Sequence, residues 1–123
     1  MLILVVDDDA LAGEMTAALL EESGYPVVLA GNGIEALEVL QAGRPVDLVV
    51  SDMHMPLMSG IELFRELRGQ GSAMPFLLLT GDDPVKARSA EPALDGCLAK
   101  DETLETSLGT AVAALIGGSG GTK

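Results

Sequence analysis

Five short apolar runs recur along the chain, at residues 2–6, 26–30, 46–51, 76–80 and 96–100, and a stretch with helical spacing follows each one. Alternation of this kind is the signature of βαβ units wound into a parallel sheet, because parallel neighbours need a long crossover connection and a helix supplies it. Crossovers of this type are right-handed, so few strand orders remain. The order 2-1-3-4-5, a doubly wound α/β domain with five strands and five helices, places strands one and three side by side where the winding reverses. In such sheets ligands bind beyond the carboxyl ends of the strands.

The local signals agree with that layout. Residues 2–6, LILVV, are apolar on both faces, as a central strand requires. Asp9 is placed to cap a first helix that runs to about residue 23, with Leu11, Met15, Leu19 and Glu22 on one side, Leu20 nearby and Gly24 as its stop. Strand two lies nearer an edge, and Asn32 caps a helix on which Ile34, Leu37 and Leu40 recur until Gly43. Ile61, Phe64 and Leu67 give the third helix, roughly residues 60–68, its core stripe. Pro84 suits the first position of a fourth helix after Asp82 or Asp83, and Pro92 ends that helix early. Leu104, Leu108, Val112 and Leu115 define the last helix, so the domain is expected over 1–116, with 117–123, GGSGGTK, as a flexible glycine-rich tail.

The chemistry gathers at the strand ends. Leu48, Val49 and Val50 lead into Asp52, and Met55-Pro56 with Gly60 turns the chain away before the next helix, since proline disfavours helix at Met55 and glycine permits backbone angles closed to other residues. Asp7 and Asp8 follow strand one and therefore meet Asp52. Ionised carboxylates about 4 Å apart repel by roughly 4 kcal/mol at an effective dielectric near 20, so the cluster wants a cation or a proton. All-oxygen donors with no Cys or His partner favour a hard ion such as magnesium, with manganese possible by the same chemistry. Thr80 closes strand four with a hydroxyl, Gly81 leaves the approach open, and Lys100 closes strand five with an ammonium. A carboxylate nucleophile, a metal, a hydroxyl and an ammonium make up a phosphoryl-transfer site.

Charge narrows the partners. Seven Lys and Arg against 19 Asp and Glu give a formal charge of −12, a poor match to the phosphates of nucleic acid. The single cysteine, Cys97, excludes an internal disulfide and fits a reducing, cytoplasmic setting. His54 is the only histidine, too few for a zinc site. The opening MLILVVDDD has no basic region and meets three acids after its apolar run, so neither a signal peptide nor a membrane span is expected there.

From Ile3 to about Ile116 the chain resembles the receiver domains of two-component response regulators. The resemblance rests on Asp7 and Asp8 after Val5-Val6, on the D-x-x-M-P-x-x-x-G of Asp52 to Gly60, on LLLTG with Thr80, and on Lys100. It implies the flavodoxin-like fold and a signalling switch in which Asp52 accepts a phosphoryl group from a sensor histidine kinase or phosphotransfer protein. Apart from self-phosphorylation from a phosphodonor and slow self-dephosphorylation, such a domain is not an enzyme; an output domain or docking partner reads its state. The resemblance further implies magnesium held directly by Asp8, Asp52 and the main-chain carbonyl of His54, and through water by Asp7, with Thr80 and Lys100 on the phosphoryl oxygens. His54 and Asp82, each two residues beyond an active residue, are expected to tune the lifetime of the phosphorylated state, as is Gly81. Two other functions remain: a docking receiver that needs no phosphate, and a magnesium-dependent phosphatase of the haloacid-dehalogenase type, which requires an acid where His54 stands.

Three departures from the family pattern stand out. Asp101, not proline, follows Lys100, so a trans bond and a differently shaped loop are expected, because a cis bond to a non-proline residue costs about 2.5–4 kcal/mol. Cys97 occupies the place of the usual Phe or Tyr, and the segment between Thr80 and Lys100 is short for a full helix.

Overall fold

The computed structural model describes residues 2–120. Its elements are β1 (Ile3–Val6), α1 (Ala10–Glu22), β2 (Val27–Ala30), α2 (Gly33–Gln41), β3 (Leu48–Asp52), α3 (Gly60–Gly69), β4 (Phe76–Thr80), α4 (Pro84–Ala90), β5 (Gly96–Ala99) and α5 (Leu104–Gly120). The five strands form one parallel sheet in the order β2-β1-β3-β4-β5. This is the doubly wound, flavodoxin-like arrangement that the alternation of runs predicts.

Burial follows position in the sheet. Every residue of β1, β3 and β4 is buried, whereas β2 and β5, the two edges, are only partly covered. Because side chains alternate across a strand, the central strands feed two apolar layers. Ile3, Val5, Leu48, Val50, Leu77 and Leu79 pack with Leu20 of α1 and Leu108 and Val112 of α5. Leu4, Val6, Val49, Phe76 and Leu78 pack with Ala36 of α2, Ile61, Phe64 and Leu67 of α3, and Ala87 of α4. Helices therefore cover both faces and leave the carboxyl edge open.

Helix caps stand where sequence places them: Asp9 accepts from the backbone of Leu11 and Ala12, and Asn32 from Glu35. Asp83, rather than Asp82, caps α4, with Pro84 in the first turn. Ser59 and Glu62 make a reciprocal capping box that starts α3 just beyond the Asp52 loop.

Three expectations need correction. Leu11 and Met15 do not face the core; they are 66% and 62% exposed, and α1 buries Gly13, Thr16, Ala17 and Leu20 instead. Small residues let α1 lie close to the sheet, where a Cβ on Gly13 would stand 3.4 Å from that of Asp7. Gly60 is not in a left-handed conformation; a Cβ there would fall 2.5 Å from the main-chain oxygen of Asp52 and 2.5 Å from Leu78 Cδ1, so close approach is what demands glycine. The left-handed residue of this loop is Leu57, with φ 72°. Finally, α5 continues through Gly120, so the part of the expected tail at 117–120 is helical, and 121–123 lie outside the described residues.

Candidate functional site

The register of the central strands builds the site. Val6 pairs with Ser51, so the residues that follow, Asp7 and Asp52, emerge together from neighbouring strands. Asp7 is buried, and its backbone N–H donates to Ala30 O, which fixes it to β2 as well. Asp8 is exposed, and Asp9 is committed to its cap. Side-chain oxygens of Asp7, Asp8 and Asp52 all lie within 4.8 Å of one another. The three consecutive acids thus divide into two cluster members and one helix cap.

Lys100 lies just past β5, and its backbone N–H donates to Thr80 O at 2.7 Å, prolonging the ladder by one bond. Its ammonium donates to Asp7 Oδ2 at 2.9 Å and to Asp52 Oδ1 at 3.3 Å. One cation is set against three carboxylates. Burial pushes the Asp52 carboxyl above its ordinary value, Lys100 opposes this, and the charges of Asp7 and Asp8 reinforce it. Lys100 is also raised: burial disfavours its charge, but the bond to Asp7 and the charges of Asp52 and Asp7 outweigh that cost. The two directions are compatible, since the lysine faces two bonded acids while Asp52 faces one cation and two like charges. The set is all oxygen, close and in excess of its one lysine, a donor chemistry that fits a hard divalent ion.

Thr80 ends β4, buried, and its Oγ1 accepts from the backbone N–H of Asp82 at 3.0 Å. A Cβ on Gly81 would meet nothing within 4 Å. His54, two residues past Asp52, turns its ring outward, and Nε2 lies 3.0 Å from Asp82 Oδ2. A direct contact between these two residues is not something their separation in sequence reveals.

The departures have physical counterparts. No peptide bond among the described residues is cis. In place of proline, Asp101 accepts through Oδ1 from the backbone N–H of Thr103 at 2.8 Å and from its hydroxyl, and these bonds hold the Asp101 carboxyl below its usual value. An Asx turn therefore leads the chain into α5. Cys97 is half-buried beside a groove lined by Pro84, Val85, Arg88, Ser89 and Pro92, and burial raises its thiol pKa while Arg88 opposes. Where an aromatic ring is expected in the family pattern, this chain has open space.

A family model described as the response regulator receiver domain matches residues 3–111. Over 105 residues the chain is 43% identical to response regulator MprA of Mycobacterium tuberculosis (strain ATCC 25618 / H37Rv), a match spanning 84% of this chain and 45% of the relative. The chain therefore spans about half the length of the curated relatives it matches. Among solved structures, the signal receiver domain of a signal transduction histidine kinase from Syntrophus aciditrophicus superposes with a TM-score of 0.85 at 36% identity, covering 99% of this chain and 94% of that one. The response regulator protein TrrA of Thermotoga maritima, in complex with Mg(2+)-BeF, superposes with a TM-score of 0.83 at 33% identity, covering 93% and 97%.

Proposed function

The chain belongs to the response regulator receiver domain family, and from that footing we propose that it is a phosphorylation switch whose Asp52 carboxylate takes a phosphoryl group from a sensor histidine kinase or a phosphotransfer protein. The observation that carries the proposal is the pairing of buried Asp52 with one lysine shared with Asp7, beside a third carboxylate: a nucleophile held at a strand end in a cluster short of positive charge.

Each residue then has a task. Asp7, Asp8 and Asp52, with the main-chain carbonyl of His54, would hold magnesium, or manganese by the same chemistry. When bound, the ion supplies the positive charge that lets a phosphoryl group of about −2 charge join three acids. An Asp52 oxygen attacks phosphorus in line; the new P–O bond forms as the P–N bond of the phosphohistidine breaks, and the nitrogen keeps the electron pair. The Thr80 hydroxyl donates to a phosphoryl oxygen, and the Lys100 ammonium contacts another. Apart from this self-phosphorylation and slow self-dephosphorylation the domain is not an enzyme.

The phosphorylated face is read by an output domain or a docking partner, consistent with relatives about twice as long. With a formal charge of −12, direct binding to nucleic acid is not part of the reading. No helix among the described residues is long and apolar enough to cross a membrane, and the reading places the domain in the cytoplasm, facing its kinase.

The test is labelling with acetyl phosphate, followed by intact-protein mass spectrometry, with magnesium and with excess chelator. Wild type gains one phosphoryl group only with magnesium, and Asp52→Asn gains none. Equal labelling of the two proteins would overturn the assignment.

A further inference from the structure

We propose that the groove between α1 and the start of α5 is a binding site for a small phenolic amine, a ligand with an ammonium at one end, an apolar body and a hydroxyl at the other. The site is separate from the phosphorylation of Asp52 and stands or falls on its own.

Ala12, Met15, Thr16 and Leu19 of α1 supply one wall of the groove, and Leu104 and Glu105 of α5 supply the other. Its volume, about 470 Å³, lies in the range of small-molecule sites, and like them it is mainly apolar with a few polar groups. Met15 is 62% exposed, so the fold leaves much of this apolar wall uncovered.

Thr16 provides the first polar contact. It is only 4% exposed, yet its hydroxyl makes no hydrogen bond among the described residues. No fully enclosed side-chain oxygen or nitrogen among those residues lacks a partner, so the unpaired hydroxyl must keep an opening, and the groove that Thr16 lines is that opening. A polar group so nearly buried gains from a ligand that completes its hydrogen bonding.

Charge selects the other end of the ligand. Helices α1 and α5 contain no Lys or Arg, and the carboxylates of Glu102 and Glu105, both at the groove, have no hydrogen bond or ion pair among the described residues. Asp101 is committed to Thr103, and Lys100, the one cation of the lining, gives its ammonium to Asp7 and Asp52. Two carboxylates without a counter-charge thus stand across an apolar wall from an unpaired hydroxyl. An ammonium answers the first and a ligand hydroxyl the second, while an anion is repelled.

The experiment titrates isotope-labelled protein with tyramine, phenethylamine and hydroxyphenylpropionate, and follows amide and methyl signals by NMR. Tyramine should shift Met15, Leu19 and Leu104 together. Phenethylamine, which lacks the hydroxyl, should bind the same residues about fivefold more weakly, as the loss of one hydrogen bond predicts. The anionic hydroxyphenylpropionate should leave them unmoved. Thr16→Val should lower tyramine affinity to that of phenethylamine without altering the latter, and Thr16→Ser should restore it. Glu102→Gln combined with Glu105→Gln, both at exposed positions, should weaken both amines about threefold and keep the preference for tyramine. Equal binding of the three probes, an equal loss for both amines in Thr16→Val, or tyramine shifts that leave Met15, Leu19 and Leu104 untouched would each overturn the site. None of these readings involves a phosphoryl group, so failure of Asp52 to label would not bear on them.

Discussion

The two edges of the sheet use the same residue type in opposite ways. At the amino edge, Asp95 lies just before β5 and accepts through Oδ2 from both Phe76 N–H at 2.9 Å and Arg68 Nη2 at 2.8 Å. Arg68 also donates to the carbonyls of Ser72 and Met74 and lies 4.4 Å over the Phe64 ring. Asp47, just before β3, accepts from Leu2 N–H at 2.8 Å. These acids fasten backbone to backbone, and Asp95 is also matched by a guanidinium. At the carboxyl edge Asp7, Asp8 and Asp52 crowd together with a single lysine between two of them. One edge satisfies its charges and gains stability; the other leaves carboxylates in excess, and groups in that condition can bind an ion and react.

The largest expected effect therefore belongs to the amino edge. Asp95→Ala strips an acceptor from the N–H of fully buried Phe76 and frees one arm of Arg68. Leaving a buried donor unsatisfied costs about 2 kcal/mol, read as a lower midpoint in urea unfolding. Asp95→Asn, which keeps an acceptor, should cost less. A loss below roughly 0.5 kcal/mol for the alanine variant, no more than a typical surface substitution, would mean that this edge is not the stabilising one.

A smaller effect of opposite sign is expected at Asp52. Its pKa in the fold lies above the unfolded value, chiefly because of burial, so the protonated form favours folding. That contribution is fully present below the unfolded pKa and is lost as pH rises through the raised one. In chelator at pH 7, Asp52→Asn should therefore melt higher than wild type, and the gap should close as pH falls towards the ordinary carboxylate range. Glu91 provides the contrast. A hydrogen bond from Arg65 Nε at 2.7 Å holds its carboxyl below the usual value, so its contribution is present above the unfolded pKa and lost as pH falls through the depressed one. Melting curves against pH for wild type, Asp52→Asn and Glu91→Gln should show slopes of opposite sign at the two sites. An Asp52→Asn protein less stable than wild type at pH 7 without metal would erase the distinction between the edges.

The carboxyl edge was far more legible in the sequence than the amino edge. The alternation of runs and the handedness of their crossovers gave away the strand order and, with it, the meeting of Asp7, Asp8, Asp52 and Lys100, because a parallel sheet delivers every strand end to one side. Helix α1 was misread. Large apolar residues at helical spacing look like core, yet the sheet is approached through Gly13, Ala17 and Leu20, and Leu11 and Met15 are left outside. The fasteners at the amino edge were missed altogether, although an aspartate immediately before an apolar run, as at Asp47 and Asp95, is the signal that could have found them. The His54–Asp82 contact depends on how two loops lean, which residue type and spacing do not encode.

The smallest expected effect on the fold comes from Gly81, and it sharpens the comparison by separating what the fold needs from what the site needs. At Gly60 a methyl group would strike the Asp52 carbonyl and Leu78, so glycine there is a packing requirement. At Gly81 the same methyl group would meet no atom within 4 Å, and the residue is not among those with positive φ. Gly81→Ala should therefore leave stability within about 0.5 kcal/mol of wild type. On the proposed phosphorylation of Asp52, the space beside Thr80 would receive the phosphoryl group, and a Cβ there would crowd its approach. Initial labelling by acetyl phosphate should slow at least twofold while the melting temperature holds. If the rate is unchanged, Gly81 has no part in tuning the site and the emptiness beside it is only a property of the loop; if stability falls instead, the loop after Thr80 belongs with the structural edge and not with the reactive one.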